Sequence, residues 1–209
     1  MISQPFYHIL AWWGGFGNHL RWLAMLDPKY QYTLGDSIVK TPDDKVNAIK
    51  QFVYPSNRNY NNWLQFEFKY RNYLNRYLKF THDPIDVFDE CKTILCVNNS
   101  ELGYNIYSKM SRTLNKNAKE KYFQTNEKHN KFCQFASEYY QTTKIVDTSL
   151  LYSPILNKTV YETVCTWFAL DNFYLQAQEI HQTWYHLHVT AENEYLTTQE
   201  GTYNGKTHI

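Results

Sequence analysis

Glycine is scarce in this chain, with seven in 209 residues, and three of the seven, Gly14, Gly15 and Gly17, fall within four positions. So few glycines beside 19 Tyr, 12 Phe and 6 Trp exclude a low-complexity or disordered chain, because ample apolar surface is present to offset the entropy of ordering. An excess of one charge is lacking too. Lys and Arg number 21 against 20 Asp and Glu, a formal charge of +1, so no global field draws the protein to nucleic acid or to a membrane surface, and any anion site is local. No apolar run approaches the ~20 residues that span a bilayer, and the N-terminus lacks the basic-then-apolar pattern of a secretory signal; both point to a cytosol. Cys91, Cys96, Cys133 and Cys165 show no Cys-x-x-Cys spacing and read as small buried side chains of a reducing compartment, with neither disulfide nor zinc. The length fits one domain, 1–209, with a sizeable core and no internal repeat.

What is present is concentrated at the start. Phe6 to Asp27 reads as a strand, a glycine turn (Gly14-Gly15-Phe16-Gly17-Asn18) and a helix beginning near His19. Such a turn aims backbone N–H groups beyond the strand's carboxyl end, and the positive end of the helix dipole adds to the pull on a phosphate or sulfate. Glycines at these positions also serve a tight turn and close helix-to-strand packing, and the motif alone does not choose between the two.

Further along, Lys29 to Asp44 reads as a loop, and Asp43 and Asp44 open a short helix with Val46, Ile49, Phe52 and Val53 at helical spacing. Asn61 to Leu78 carries an aromatic helical stripe. Lys79-Phe80-Thr81-His82-Asp83-Pro84 reads as a short strand running into a proline turn, and Lys92 to Val97 as a β-rich run ending at Asn98-Asn99-Ser100. Glu101 to Leu114 fits a helix; the polar, lysine-rich stretch through Lys131 reads as a solvated face or loop. Phe132, Phe135, Ala136 and Tyr139 then give a helical stripe, and Lys144 to Asp147 a strand. Thr159-x-x-Glu162 has capping-box spacing before one C-terminal helix, and Ala177, Ile180, His181, Trp184, Leu187 and His188 form the inward stripe of a last one, ahead of a polar tail from 197 to 209.

Strands alternating with helices imply an α/β fold, a mostly parallel central sheet flanked by helices with a helical C-terminal part, whose ligand sites lie beyond the strands' carboxyl ends. Gly14 to Asn18, His82 to Pro84 and Asn98 to Ser100 each follow a strand, so all three are expected on one edge. This order of motifs resembles the sulfotransferase family, and in outline the short sulfotransferase-like proteins of marine phages. The resemblance implies a P-loop-type fold and transfer of a sulfuryl group from 3'-phosphoadenosine 5'-phosphosulfate to a hydroxyl or amine of a small-molecule or glycan acceptor.

The resemblance further implies that Gly14, Gly15, Phe16, Gly17, Asn18 and His19 bind the phosphosulfate and that His82, after its Thr-His strand, is the catalytic base. No lysine stands in the loop; Arg21, in the first helical turns, takes the place of that cation. Asn98, Ser100 and Ser108 stand where the family grips the 3'-phosphate, and they offer neutral hydrogen bonds in place of arginine's charged fork. Arg58 and Arg71 are weaker candidates for anion contacts. His181, His186 and His188 lack the spacing of a metal site, and His181 reads as a packed core histidine. Gly-Gly-Phe-Gly-Asn-His also resembles the start of fucosyltransferases, which implies a nucleotide sugar as donor. A third reading is a relative that keeps the scaffold without the charged cofactor contacts and serves as a binding or virion-associated protein.

Overall fold

The computed structural model describes residues 6–12, 14–34, 37–54, 73–83, 91–98, 101, 103–105 and 118–190. The expected helix at 61–78 lies mostly outside these residues, as do most of the expected helix at 101–114 and the tail from 197.

Four strands form a wholly parallel sheet: β1 (Phe6–Ala11), β4 (Lys79–Thr81), β5 (Cys91–Val97) and β6 (Thr143–Asp147), in the order β4-β1-β5-β6. β1 is the pivot, since the chain leaves it for β4 on one side and returns to β5 on the other. Its side chains alternate between two cores, as a strand buried on both faces requires. Ile9 and Ala11 face the larger core, joined by Ile94 and Cys96 of β5, whereas Leu10 and Leu95 face a smaller one with Cys133 and Ala136. The α/β layering expected from the alternating elements is therefore present.

The larger core is covered by helices α1 (Gly17–Ala24), α4 (Lys158–Phe168) and α5 (Tyr174–Tyr185), and the smaller by the 22-residue helix α3 (Ala118–Tyr139). Gly17 sets the closest helix-to-sheet approach: a Cβ there would stand 2.6 Å from the Phe80 ring and 2.7 Å from the Ala11 Cβ. All four cysteines are buried thiols, as expected, and among the described residues no helix is long and apolar enough to cross a membrane.

Four local expectations are corrected. Lys29 to Asp44 is not all loop, because β2 (Tyr32–Leu34) and β3 (Ser37–Val39) pair as an antiparallel hairpin whose Tyr32, Leu34 and Val39 enter the main core. The lysine-rich stretch before Lys131 is no loop from residue 118 on; it is the first part of α3. Its lysines stay outside while Tyr122, Asn126, His129, Cys133 and Ala136 are buried at spacings of four, three, four and three, an inward stripe masked in sequence by its polar members. Helix α4 is capped by Asn157, whose side chain accepts from the Val160 N–H at 3.1 Å, rather than by Thr159. The helix read from Asp43 begins one residue earlier, as α2 (Pro42–Ala48), with a capping box between Thr41 and Asp44.

Two lysines, one buried and one exposed, tie α2 and α4 to the first βα unit. Lys45, fully buried on α2, donates to the carbonyls of Met25, Leu26 and Asp27 at 3.0, 3.3 and 2.6 Å, so its charge sits where the α1 dipole is negative. Burial pushes its pKa down to about 8, against the pull of Asp27. Lys29 does the same for α4, reaching the Phe168 and Ala169 carbonyls at 3.2 Å, and Asp27 accepts from the Asp171 N–H at 2.8 Å.

Two substitutions test this packing. Ala169 ends α4 in the left-handed region (φ 50°), so Ala169→Gly is expected to raise stability by about 1 kcal/mol in urea unfolding. Gly17→Ala drives a methyl into Phe80 and Ala11 and is expected to lower it by about 1–3 kcal/mol; an unchanged midpoint would show that α1 does not set its distance there.

Candidate functional site

Parallel pairing brings three chain corners to one rim. Thr81 lies opposite Leu10 in the β1–β4 ladder, so His82 comes level with Ala11, and its Nδ1 stands 2.5 Å from the Ala11 carbonyl oxygen. A carbonyl only accepts, so Nδ1 carries a proton. The ring is held edge-on against Phe80 at 4.9 Å between centroids.

On the other side of β1, the first residue after β5 is Asn98. Its Nδ2 donates to the Tyr152 hydroxyl at 2.7 Å and approaches the Gly14 carbonyl at 3.5 Å. The expected convergence of the three corners is thus what the sheet produces. Asn98 itself is 3% exposed, and the amide read as a phosphate donor is directed to protein groups instead. Ser100 and Ser108 lie outside the described residues, as do Arg58 and Arg71.

The glycine loop divides its work. Gly15 N–H donates to the Trp12 carbonyl at 2.8 Å, so this amide closes a turn. Gly14 takes φ 77°, a value that favours glycine, and a Cβ there would lie 2.2 Å from the Gly103 carbonyl oxygen. Here the packing use of the glycines holds: Gly14 admits the segment after β5, and Gly17 admits the sheet. Phe16, itself at φ 54°, ends the loop with its ring edge-on to Tyr152 at 5.2 Å and to Trp184 at 4.8 Å. Helix α1 starts at Gly17 with no side-chain cap, so its leading N–H groups and the positive end of its dipole face the rim.

Arg21 and His19, both expected to serve a bound anion beside this loop, are turned inward. Arg21 is 1% exposed; its Nη2 donates to Asn18 Oδ1 at 2.7 Å, its Nη1 to Asn75 Oδ1 at 3.1 Å, and its guanidinium lies 5.5 Å from the Phe80 ring centre. Asn75 Oδ1 also accepts from the Phe80 N–H at 3.3 Å. Arg21 therefore fastens the glycine loop to the start of β4 and positions His82, a correction to the role of a cation offered to a bound anion. The spacing that put it one turn into α1 also turns it inward.

His19 is corrected likewise. Its ring is 2% exposed and stacked on Trp184 at 4.2 Å and 14°. It belongs to a chain of hydrogen bonds whose direction is set by its last member. The Ser153 carbonyl accepts from His181 Nε2–H at 2.8 Å, so His181 Nδ1 accepts from His19 Nε2–H at 3.1 Å, and His19 Nδ1 accepts from the Tyr54 hydroxyl at 3.1 Å. Burial, and then the neighbouring His181 and His188, hold His19 well below the usual histidine value, and burial lowers His181 too. Both rings are neutral at pH 7, so His19 brings no charge to the loop. The reading of His181 as a packed, hydrogen-bonded core residue agrees with this geometry.

The rim also uses residues with little sequence signal. Tyr152 and Ser153 follow β6 in an irregular segment, and Trp12 lies just past β1. Asn126 and His129 carried the 3,4 spacing of a helix face and were legible only as part of it. Among the described residues no group of three or more His, Cys, Asp or Glu is placed to hold a metal ion. No family model, curated protein or solved structure matches this chain.

The neutral histidines set a pH dependence. His19, His181 and His129 all have folded pKa values below the ordinary 6.5, so below that pH the unfolded chain binds more protons than the native one. Stability is complete above about pH 6.5 and falls as the pH drops toward the folded values, by up to about 1.4 kcal/mol per pH unit for each group. Urea unfolding between about pH 7.5 and 5.5 is expected to show this fall, with a shallower slope in His19→Gln; a flat profile in the wild type would contradict the neutral network.

Proposed function

We propose that this chain is a sulfotransferase-like protein, binding 3'-phosphoadenosine 5'-phosphosulfate at the β1–α1 corner and using His82 as the base toward a hydroxyl or amine of a small-molecule or glycan acceptor. The observation that carries the reading is the place of His82: its Nδ1 stands 2.5 Å from the Ala11 carbonyl oxygen, which holds the ring at the rim where α1 starts without a side-chain cap. In this reading the sulfuryl group comes from the bound nucleotide. The chain's own part is to hold the phosphosulfate oxygens on the N–H groups of residues 16–18, preorganised dipoles of the kind that supply most of the acceleration in such transfers. His82 Nε2 removes the acceptor's proton, and Arg21 keeps β4, and so His82, in place through Asn75.

A second reading rests on a separate observation. Asn98 Nδ2 donates to Tyr152 and lies near the Gly14 carbonyl, so the neutral grip assigned to it for a 3'-phosphate is directed at the protein. A relative that retains the fold and binds a partner without turnover accords with this.

Two measurements separate the readings. Millimolar 3'-phosphoadenosine 5'-phosphate is expected to raise the melting temperature, since a ligand at 100 times its Kd stabilises by about 2.7 kcal/mol. No shift would remove the cofactor, and a shift with guanosine diphosphate alone would favour the nucleotide-sugar reading. In a sulfuryl-transfer assay His82→Ala is expected to lower kcat by roughly 10²–10⁴-fold. Unchanged turnover would deny His82 its role.

A further inference from the structure

On the face of the sheet opposite His82, α3 lays a buried polar stripe across the end of β5. Asn126 and Asn130 both donate to the Asn98 backbone carbonyl, Asn130 at 3.5 Å, which pins this part of α3 to the rim. His129 Nε2 lies 3.2 Å from the Cys96 carbonyl oxygen and 3.3 Å from Cys133 Sγ. Because the carbonyl can only accept, Nε2 carries the proton and Nδ1 the lone pair. The residue is 4% exposed, and burial holds it below the usual histidine value.

His129 Nδ1 is buried and has no hydrogen-bond partner among the described residues, and the same is true of the Trp12 indole Nε1. The two rings face each other at 6.2 Å between centroids and 35° between planes. One buried donor and one buried acceptor thus stand on adjacent rings without bonding each other. Buried polar groups left in this condition are rare and costly.

We propose that Trp12 and His129 hold between them a single hydroxyl oxygen, which accepts from the indole N–H and donates to His129 Nδ1. The chemistry selects this group. A carboxylate or carbonyl has no proton to give Nδ1, and an ammonium has no lone pair for the indole; an O–H has both. The site lies past the ends of β1 and β5, where the strand order reverses about β1, the place where open α/β sheets take ligands. The hydroxyl belongs either to a water molecule or to a small alcohol or sugar. This site stands on the opposite face of the sheet from His82 and does not depend on the sulfotransferase reading.

Nitrogen-15 NMR of the full chain tests it. The expected result is a His129 ring protonated on Nε2 and bare on Nδ1, with a cross-peak from the Trp12 indole proton to bound water or to added methanol. A cross-peak to water that methanol leaves unchanged assigns the hydroxyl to solvent; a saturable methanol shift, lost in Trp12→Phe, assigns it to an alcohol. A proton on His129 Nδ1, or an indole proton with no cross-peak to water or methanol, overturns the proposal. These wild-type spectra decide it even if Trp12→Phe fails to fold.

Discussion

Hydrogen bonding of β1 along both edges in the parallel sense is the constraint on which the rest depends. Because β4 and β5 run the same way as β1, every segment that leaves a strand at its carboxyl end emerges at one rim. His82, the glycine loop and Asn98 are neighbours for that reason alone, although their positions span 84 residues between Gly14 and Asn98. An antiparallel β4 would send His82 to the opposite edge. Gly17 completes the constraint, since the approach of α1 to Ala11 and Phe80 leaves no room for a side chain.

Several polar side chains around this frame are oriented by a backbone carbonyl, which can only accept, whereas the buried Arg21 is held by the side chains of Asn18 and Asn75. Ala11 orients His82, Cys96 orients His129, and Ser153 orients His181 and through it His19. The carbonyls ending α1 and α4 orient Lys45 and Lys29. The consequence is a set of defined tautomers in a low-dielectric interior, where an unmade bond costs more than in water. Burial in that interior is what keeps His19 and His181 neutral, and the carbonyls past α1 keep Lys45 tied to it.

The fold was largely legible, and specific residues show why. Near-continuous apolar runs at Phe6–Ala11 and Cys91–Val97 and helical stripes in α4 and α5 depend only on local composition and period. The β2–β3 hairpin was missed because its two three-residue strands are too short to show alternation. Helix α3 was half missed because Asn126 and His129 occupy its inward face, and their burial depends on Asn98 and Cys96 carbonyls far away in sequence. Of the site, His82 was readable from its place after a strand. The inward turn of Arg21 and His19 was not, for their partners Asn75 and His181 come from distant elements.

By itself, then, the sequence determined the alternation of strands and helices, the glycine turn after β1 and the placing of three polar corners after strands, because these rest on local periodicity and backbone freedom. Only the tertiary structure decided what those corners do. Which nitrogen of a histidine carries the proton, and whether the ring stays neutral, is set by which carbonyl it meets and by how far water is excluded, and both are properties of contacts between elements that no local pattern encodes.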